Sequence, residues 1–180
     1  CALTSVRSDF GSLAGTMLDS LAARMRLELD HNNKQKILGA FATMPAHPDM
    51  SQALKTLKTA GYRTIAFTNS SIQLVTSQIA NSGLTDLFDQ QISVESTGSF
   101  KPDTKVYQHA AKQADRPIKA LRLIATHDWD THGALSAGMK AGYIDRTGAP
   151  YHPQYLRPDA FAKSMTELVA QIIKLDETPE

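Results

Sequence analysis

Three short stretches carry side chains whose types and order suit chemistry at the end of a strand. Thr68-Asn69-Ser70-Ser71 closes the apolar run Ile65-Ala66-Phe67. Two hydrogen-bonding side chains stand there beside a predicted helix start, where free N–H groups and the helix dipole favour an anion. Ser71 itself reads as an N-cap. Phe100-Lys101-Pro102-Asp103 leads into a second predicted helix that carries Tyr107. A lone lysine is ordinarily a solvated charge. Held between Phe100 and Pro102, with Pro102 setting the first helical turn, Lys101 suits the holding of a carboxylate. Thr126-His127-Asp128-Trp129-Asp130 follows the run Ala120-Leu121-Arg122-Leu123-Ile124. An imidazole, an indole and two carboxylates fall together there. Asp128 or Asp130 reads as the N-cap of a helix starting near Thr131, and one of them as a catalytic group too; His132, one turn on, reads as peripheral.

The elements that must position these groups follow from hydrophobic period. Residues 8–28 place Phe10, Leu13, Met17, Leu21 and Met25 on one helical face. Asp30-His31-Asn32-Asn33 reads as a turn, and Ile37, Leu38, Phe41 and Met44 as a second amphipathic stretch ended by Pro45 and Pro48. Residues 1–46 are therefore expected to form a small all-helical unit, and residues 47–180 an α/β core. Beyond Pro48 the pattern alternates. Helices are predicted over 49–60, 71–81, 103–114, 131–141 and 164–175, and strands over 63–68, 91–94, 120–125 and 142–144. Such alternation means parallel βα units in a doubly wound, Rossmann-like sheet. In such sheets ligands bind beyond the carboxyl ends of the strands, where the three stretches lie.

Composition excludes several other classes. The chain has 180 residues, 42% of them hydrophobic, with 19 basic and 18 acidic side chains and a net charge of +1. That balance fits neither nucleic-acid binding through bulk charge nor a disordered chain. No apolar run is long enough to span a bilayer, and no membrane partner is expected. The single cysteine, Cys1, allows no internal disulfide and no cysteine zinc site, which makes the cytoplasm the expected location. No G-x-G-x-x-G or P-loop is present.

In this order the three stretches resemble the haloacid dehalogenase superfamily, most closely its type II 2-haloacid dehalogenases. Thr68-Asn69 resembles the family's second motif. Phe100-Lys101-Pro102-Asp103 with Tyr107 resembles the third, and Trp129-Asp130 with Gly133-Ala134 the fourth. Asp145-Arg146-Thr147-Gly148 also fits, and Phe10 resembles an apolar cap residue that faces the substrate. The resemblance implies a hydrolase that breaks a carbon–halogen bond in a short 2-haloacid, without a cofactor. An aspartate attacks the halogen-bearing carbon, halide leaves, and water hydrolyses the resulting ester. Lys101 would keep the nucleophile ionised. Thr68 and Asn69 would hold the substrate carboxylate and the halide, and Tyr107 would orient its neighbours. Asp130 would position the water and pair with Lys101, while Trp129 and Phe10 would wall the apolar side. Relatives are often homodimers, and the helices of the first 46 residues could support such a pairing.

Two departures stand out. The family opens on a strand that ends in the nucleophilic aspartate and lies between the strands ending at Thr68 and Ala125. No such strand precedes Phe10, and the nucleophile is expected upstream of Cys1. Without it, two strand edges would keep unpaired backbone groups, and an inactive relative is the alternative. His127 stands where the dehalogenases commonly have Asn, and Ala125 where they have Ser. His127 is either the base for the water or a hydrogen-bonding replacement for Asn. A phosphatase of the same superfamily, using Mg²⁺, is the other enzymatic alternative. Thr126 stands where that branch places an aspartate, and a hydroxyl is a poor substitute for a carboxylate on a hard cation.

Overall fold

Asp9 opens the first helix by accepting a hydrogen bond from Ser12 N–H at 2.8 Å. A computed structural model describes residues 8–177, so residues 1–7 of the expected helical unit lie outside the described residues. Helix α1 spans Phe10–Met25 and ends at Arg26 in the left-handed conformation. Helix α2 spans His31–Ala40 and is capped by Asp30, which accepts from Asn33 N–H. The Asp30–Asn33 cluster is thus a helix cap and first turn rather than a separate turn, because the carboxylate satisfies a donor the helix would otherwise leave free. A 3-10 turn, Phe41–Thr43, follows. Its carbonyls at Phe41 and Ala42 accept from the amides of Gln78 and Asn81. Met17, Leu21 and Met25 of the α1 stripe remain exposed.

The rest of the chain alternates as expected. Helix α3 spans Met50–Thr59, strand β1 Ile65–Thr68, α4 Ile72–Asn81, β2 Gln90–Ser93 and α5 Thr104–Ala114. Strand β3 spans Arg122–Ala125, α6 Asp128–Ser136, β4 Lys140–Ile144, β5 Ala160–Ala162 and α7 Met165–Glu177. Two expectations need correction. Helix α6 begins at Asp128, with His127 as its N-cap residue, so neither Asp128 nor Asp130 is the N-cap. Both carboxylates lie in the first turn, where the helix dipole favours them. Helix α5 begins at Thr104 with Asp103 as the cap, accepting from Lys105 N–H, so Pro102 lies before the helix rather than in its first turn. Among the described residues no helix is long and apolar enough to cross a membrane.

All strand pairs are parallel, but they form two sheets. One is β1-β2; the other is β3-β4-β5. Three clusters of buried side chains secure them. Leu57, Ile144, Leu168 and Ile172 join α3, β4 and α7. Val94, Val106, Tyr107 and Leu123 fill the space around α5 and β3. Leu54, Val75, Ile79 and Leu84 join α3 and α4.

The sheets face each other across a cavity of about 630 Å³, lined by residues 64–68 and 121–127 together with Lys101 and Arg146. The backbone fixes which strand edges face it. Thr64 and Thr68 carbonyls accept from Asp89 and Val94 N–H groups. Alternate residues of a strand turn their backbone groups to opposite sides, so Ile65 and Phe67 turn theirs away from β2. On the other side, the Leu121 carbonyl accepts from Lys140 N–H, leaving Arg122 and Ile124 turned away from β4. The turned-out edges of β1 and β3 therefore flank a cleft between the two sheets.

Two packing details carry testable consequences. Asp89 accepts from Lys58 Nζ at 2.7 Å, from Thr64 N–H at 2.8 Å and from the Thr64 hydroxyl at 3.1 Å. The Lys58 hydrogen bond first, and the Thr64 N–H second, hold its carboxyl down at about 2. Its side chain is one-third exposed, at 33%, which weakens each bond. Asp89→Asn is expected to cost about 1 kcal/mol above pH 4. Because the folded carboxyl is the more acidic, this advantage is complete above the unfolded value of about 3.9 and fades as pH falls toward 2. Urea unfolding at stepped pH checks both the loss and its disappearance in acid. At Gly133, an added Cβ would lie 2.5 Å from the Tyr107 hydroxyl and 2.8 Å from Pro102 Cβ. Gly133→Ala should therefore cost about 1–3 kcal/mol by forcing α5 and α6 apart; thermal unfolding at the wild-type midpoint would contradict that contact.

Candidate active site

The carboxyl ends of β1 and β3 are joined by one buried ion pair. Lys101 Nζ lies 3.0 Å from Asp130 Oδ2, and each side chain is only 8% exposed. Lys101 reaches this point from the segment after β2, which is anchored by the Ser99 hydroxyl donating to Asp103 Oδ2 at 2.7 Å. Its own N–H donates to Asn69 Oδ1 at 2.9 Å. The ammonium also donates to the Phe67 carbonyl at 3.0 Å and sits 4.3 Å above the Phe67 ring centre. That carbonyl belongs to the β1 edge turned toward the cleft. An ammonium has three N–H donors. Two are used on the Phe67 carbonyl and Asp130, and Lys101 also lines the cavity.

Asp130 is held from both sides. Its Oδ1 accepts from the Tyr107 hydroxyl at 2.8 Å, and Tyr107 is fully buried. Burial pushes the Tyr107 hydroxyl well above its usual range, and the Asp130 charge adds to that, so the hydroxyl stays protonated and donates. Burial lowers the Lys101 ammonium, while Asp130 opposes the shift by charge and hydrogen bond. The ion pair is a fixed dipole, with its positive end at the cleft.

The other expected residues are distributed around it. Thr68 and His127 line the cavity with Lys101. Thr68 Oγ1 accepts from Ser70 N–H, and Asn69 uses its carbonyl oxygen on Lys101. His127 is exposed at the end of β3, its ring centre 5.3 Å from that of Trp129. Phe10 is not brought to this place: its ring packs edge-on against Phe41 at 6.1 Å, and it is absent from the cavity lining. The anion-favouring corner at the start of α4 is already served. Ser71 Oγ caps Leu74 N–H, as expected, and the Glu95 carboxylate accepts from Ile72 N–H.

Two contributors were given no role by the sequence, although Arg146 lies in the Asp145-Arg146-Thr147-Gly148 stretch. Phe67 acts through its carbonyl and ring, and a backbone carbonyl has no signature in residue type. Arg146 lines the cavity and forms a two-pronged ion pair with Asp49 at 2.8 Å, each prong to one carboxylate oxygen. Asp49 also accepts from Met165 N–H, and these contacts, Arg146 foremost, hold its carboxyl below the usual range. Buried Arg146 Nε has no hydrogen-bond partner among the described residues.

The chain as a whole is similar to known proteins. The chain is 27% identical over 170 residues to (S)-2-haloacid dehalogenase 1 of Pseudomonas sp. (strain CBS-3), covering 94% of this chain and 75% of that protein. It is 28% identical over 142 residues to the (S)-2-haloacid dehalogenase of Pseudomonas fluorescens, covering 79% of this chain and 63% of that one. It thus spans from under two thirds to three quarters of the length of these relatives. The crystal structure of a dehalogenase with an intermediate complex superposes with a TM-score of 0.86 at 25% identity, over 92% of this chain and 74% of that one. The profile of the haloacid dehalogenase-like hydrolases matches residues 11–122. With that match across more than half of its length, the chain belongs to the haloacid dehalogenase-like hydrolase family.

Proposed function

We propose that this protein hydrolyses the carbon–halogen bond of a short 2-haloalkanoic acid through an aspartyl ester. The observation that carries the reading is the buried Lys101–Asp130–Tyr107 chain at the mouth of the cleft between β1 and β3. The two edges facing that cleft offer backbone donors and acceptors over four residues each, about 13 Å of strand. They suit one further parallel strand, and a carboxylate at its carboxyl end would meet the third N–H of Lys101. The unpartnered Nε groups of Arg122 and Arg146, both on the cavity lining, suit acceptors carried by the same strand.

In this reading the carboxylate attacks the halogen-bearing carbon. The carbon–halogen electron pair leaves with the halide, and an ester joins enzyme to substrate. Lys101 keeps the attacking carboxylate ionised by proximity of opposite charge. Thr68 Oγ1 and the Asn69 amide N–H groups hold the substrate carboxylate and the departing halide. Water then attacks the ester carbonyl carbon; one proton goes to His127, and the 2-hydroxy acid leaves. Asp130 orients that water while fixed by Tyr107 and Lys101. Trp129 walls the apolar side. No cofactor is required. The exposed Met17, Leu21 and Met25 of α1 suit a homodimer contact, and the helical pair α1–α2 a cap. A single cysteine agrees with a cytoplasmic location.

The test uses the full-length protein with racemic 2-chloropropionate in EDTA, reading halide release. Release in EDTA, abolished in Lys101→Met, is expected. Phosphate release from phosphomonoesters that requires Mg²⁺, with no halide release, would make the protein a phosphatase instead. His127→Asn should lower kcat roughly a hundredfold near pH 7. An unchanged pH–rate profile in that variant would remove His127 from proton transfer.

A further inference from the structure

The 15-residue segment between β4 and β5, residues 145–159, is fastened to the first turn of α6 through side chains the proposed reaction does not use. Tyr151 is buried; its hydroxyl donates to the Leu156 carbonyl and lies 2.9 Å from Thr131 Oγ1. His152 N–H donates to Asp128 Oδ2, and Asp128 Oδ1 accepts from Trp129 N–H. Two imidazoles clamp Tyr155 between them. The His132 ring stacks on it at 4.4 Å with planes 1° apart, and the His152 ring lies 4.3 Å from it on a 31° tilt. Both imidazoles use Nδ1 as an acceptor toward the segment's backbone. His132 Nδ1 accepts from Leu156 N–H at 3.2 Å, and His152 Nδ1 from Gln154 N–H at 3.3 Å.

We propose that His132 and His152 are positioning residues that lock residues 149–157 onto the start of α6 through Tyr155, and that the lock opens when the imidazoles are protonated. An N–H acceptor role requires an unprotonated Nδ1. Protonation turns each acceptor into a donor facing another donor, so both backbone hydrogen bonds are lost together. Imidazoles change charge between pH 5 and 8. The charged and titratable groups around the clamp are Asp128 on α6, Arg157 above the Tyr151 ring, and Tyr143 on β4, which lies in the field of Asp128 and Asp145. Release frees the Asp128 carboxylate from His152 N–H and Thr131 from Tyr151. Both contacts brace the turn that carries Asp130, so their loss removes one support of that turn while Lys101 and Tyr107 still hold the carboxylate. The catalytic meaning of that loss rests on the function proposed above; the lock itself does not.

Trp129 is the sole tryptophan of the chain and sits in the affected turn, so its emission reports the lock without any substrate. His127 also contacts Trp129, so the full-length His127→Asn protein is the parent for the measurement. Emission is followed from pH 8 to pH 5, together with hydrogen exchange at the Leu156 amide corrected for its intrinsic rate. The parent should show one emission step and, at the same pH, a loss of Leu156 protection of about fivefold or more. His132→Asn with His152→Asn places an amide oxygen where Nδ1 was, without a titrating group. In that protein the step should vanish and Leu156 should stay protected at pH 5. A step that persists in the Asn variants would overturn the proposal, as would Leu156 protection that is flat with pH in the parent. Neither readout uses halide release, so failure of the proposed reaction and failure of the lock are separately visible.

Discussion

The Lys101–Asp130 pair is the interaction on which the arrangement of this fold depends. Taking two charges out of water costs several kilocalories per ion, and their attraction repays that only with good geometry and further hydrogen bonds. Both conditions are met. Tyr107 serves one Asp130 oxygen and Lys101 the other, while the Phe67 carbonyl and ring serve the ammonium. Apolar pairs of similar volume are often as stabilising as a buried ion pair, so its contribution here is position rather than stability. What the ion pair supplies is a charge of fixed sign and position where the two sheets meet.

The same pair spans the cleft. Lys101 belongs to the β1-β2 side and Asp130 to the β3 side, so their bond ties together the carboxyl ends of two sheets that share no backbone ladder. The amino ends are tied separately. Tyr62, ahead of β1, donates to Asp176 on α7, and Arg122 at the start of β3 bonds Asp176 and Asp159. The cleft is thus bracketed by polar bridges at both ends, and its walls are the turned-out edges of β1 and β3. Gly133 matters in this frame because it lets α6 approach Tyr107 closely enough for the hydroxyl to reach Asp130.

Much of this was legible in the sequence, and the reasons are local. Alternating apolar runs and helical periods located every helix of the core and four of the five strands, although α6 was carried five residues too far, over the first two residues of β4. Strand β5 was missed because Ala160-Phe161-Ala162 has little strand propensity of its own. It is extended because β4 offers it an edge, a tertiary effect that no window of sequence contains. The start of α6 was read too late for a related reason. Asp128 and Asp130 look like strand-end polar residues or caps, yet carboxylates are equally favoured inside a first helical turn. Lys101, Asp130 and Tyr107 were found as residue types in order. That Asn69 would spend its carbonyl on the Lys101 backbone, or that Glu95 would occupy the start of α4, follows from geometry alone. Phe10, placed at the site by resemblance, packs on Phe41 because aromatic edge-to-face contact within the helical pair was available to it.

The polarity of the cleft follows from these contacts taken together. A cleft walled by strand edges exposes backbone groups that cost free energy whenever they are kept from water without partners. Two guanidinium Nε groups, of Arg122 and Arg146, are buried without acceptors among the described residues, and both arginines share the lining with Lys101. These side-chain groups are all donors, and two of them, on Lys101 and Arg146, stand near the carboxyl ends of the strands. Under the proposed function, a carboxylate at the upper end of a further strand would serve both the edge pattern and these donors. In the proposed reaction Lys101 would favour the ionised form of that carboxylate by proximity of opposite charge, while Asp130 holds the ammonium from the other side.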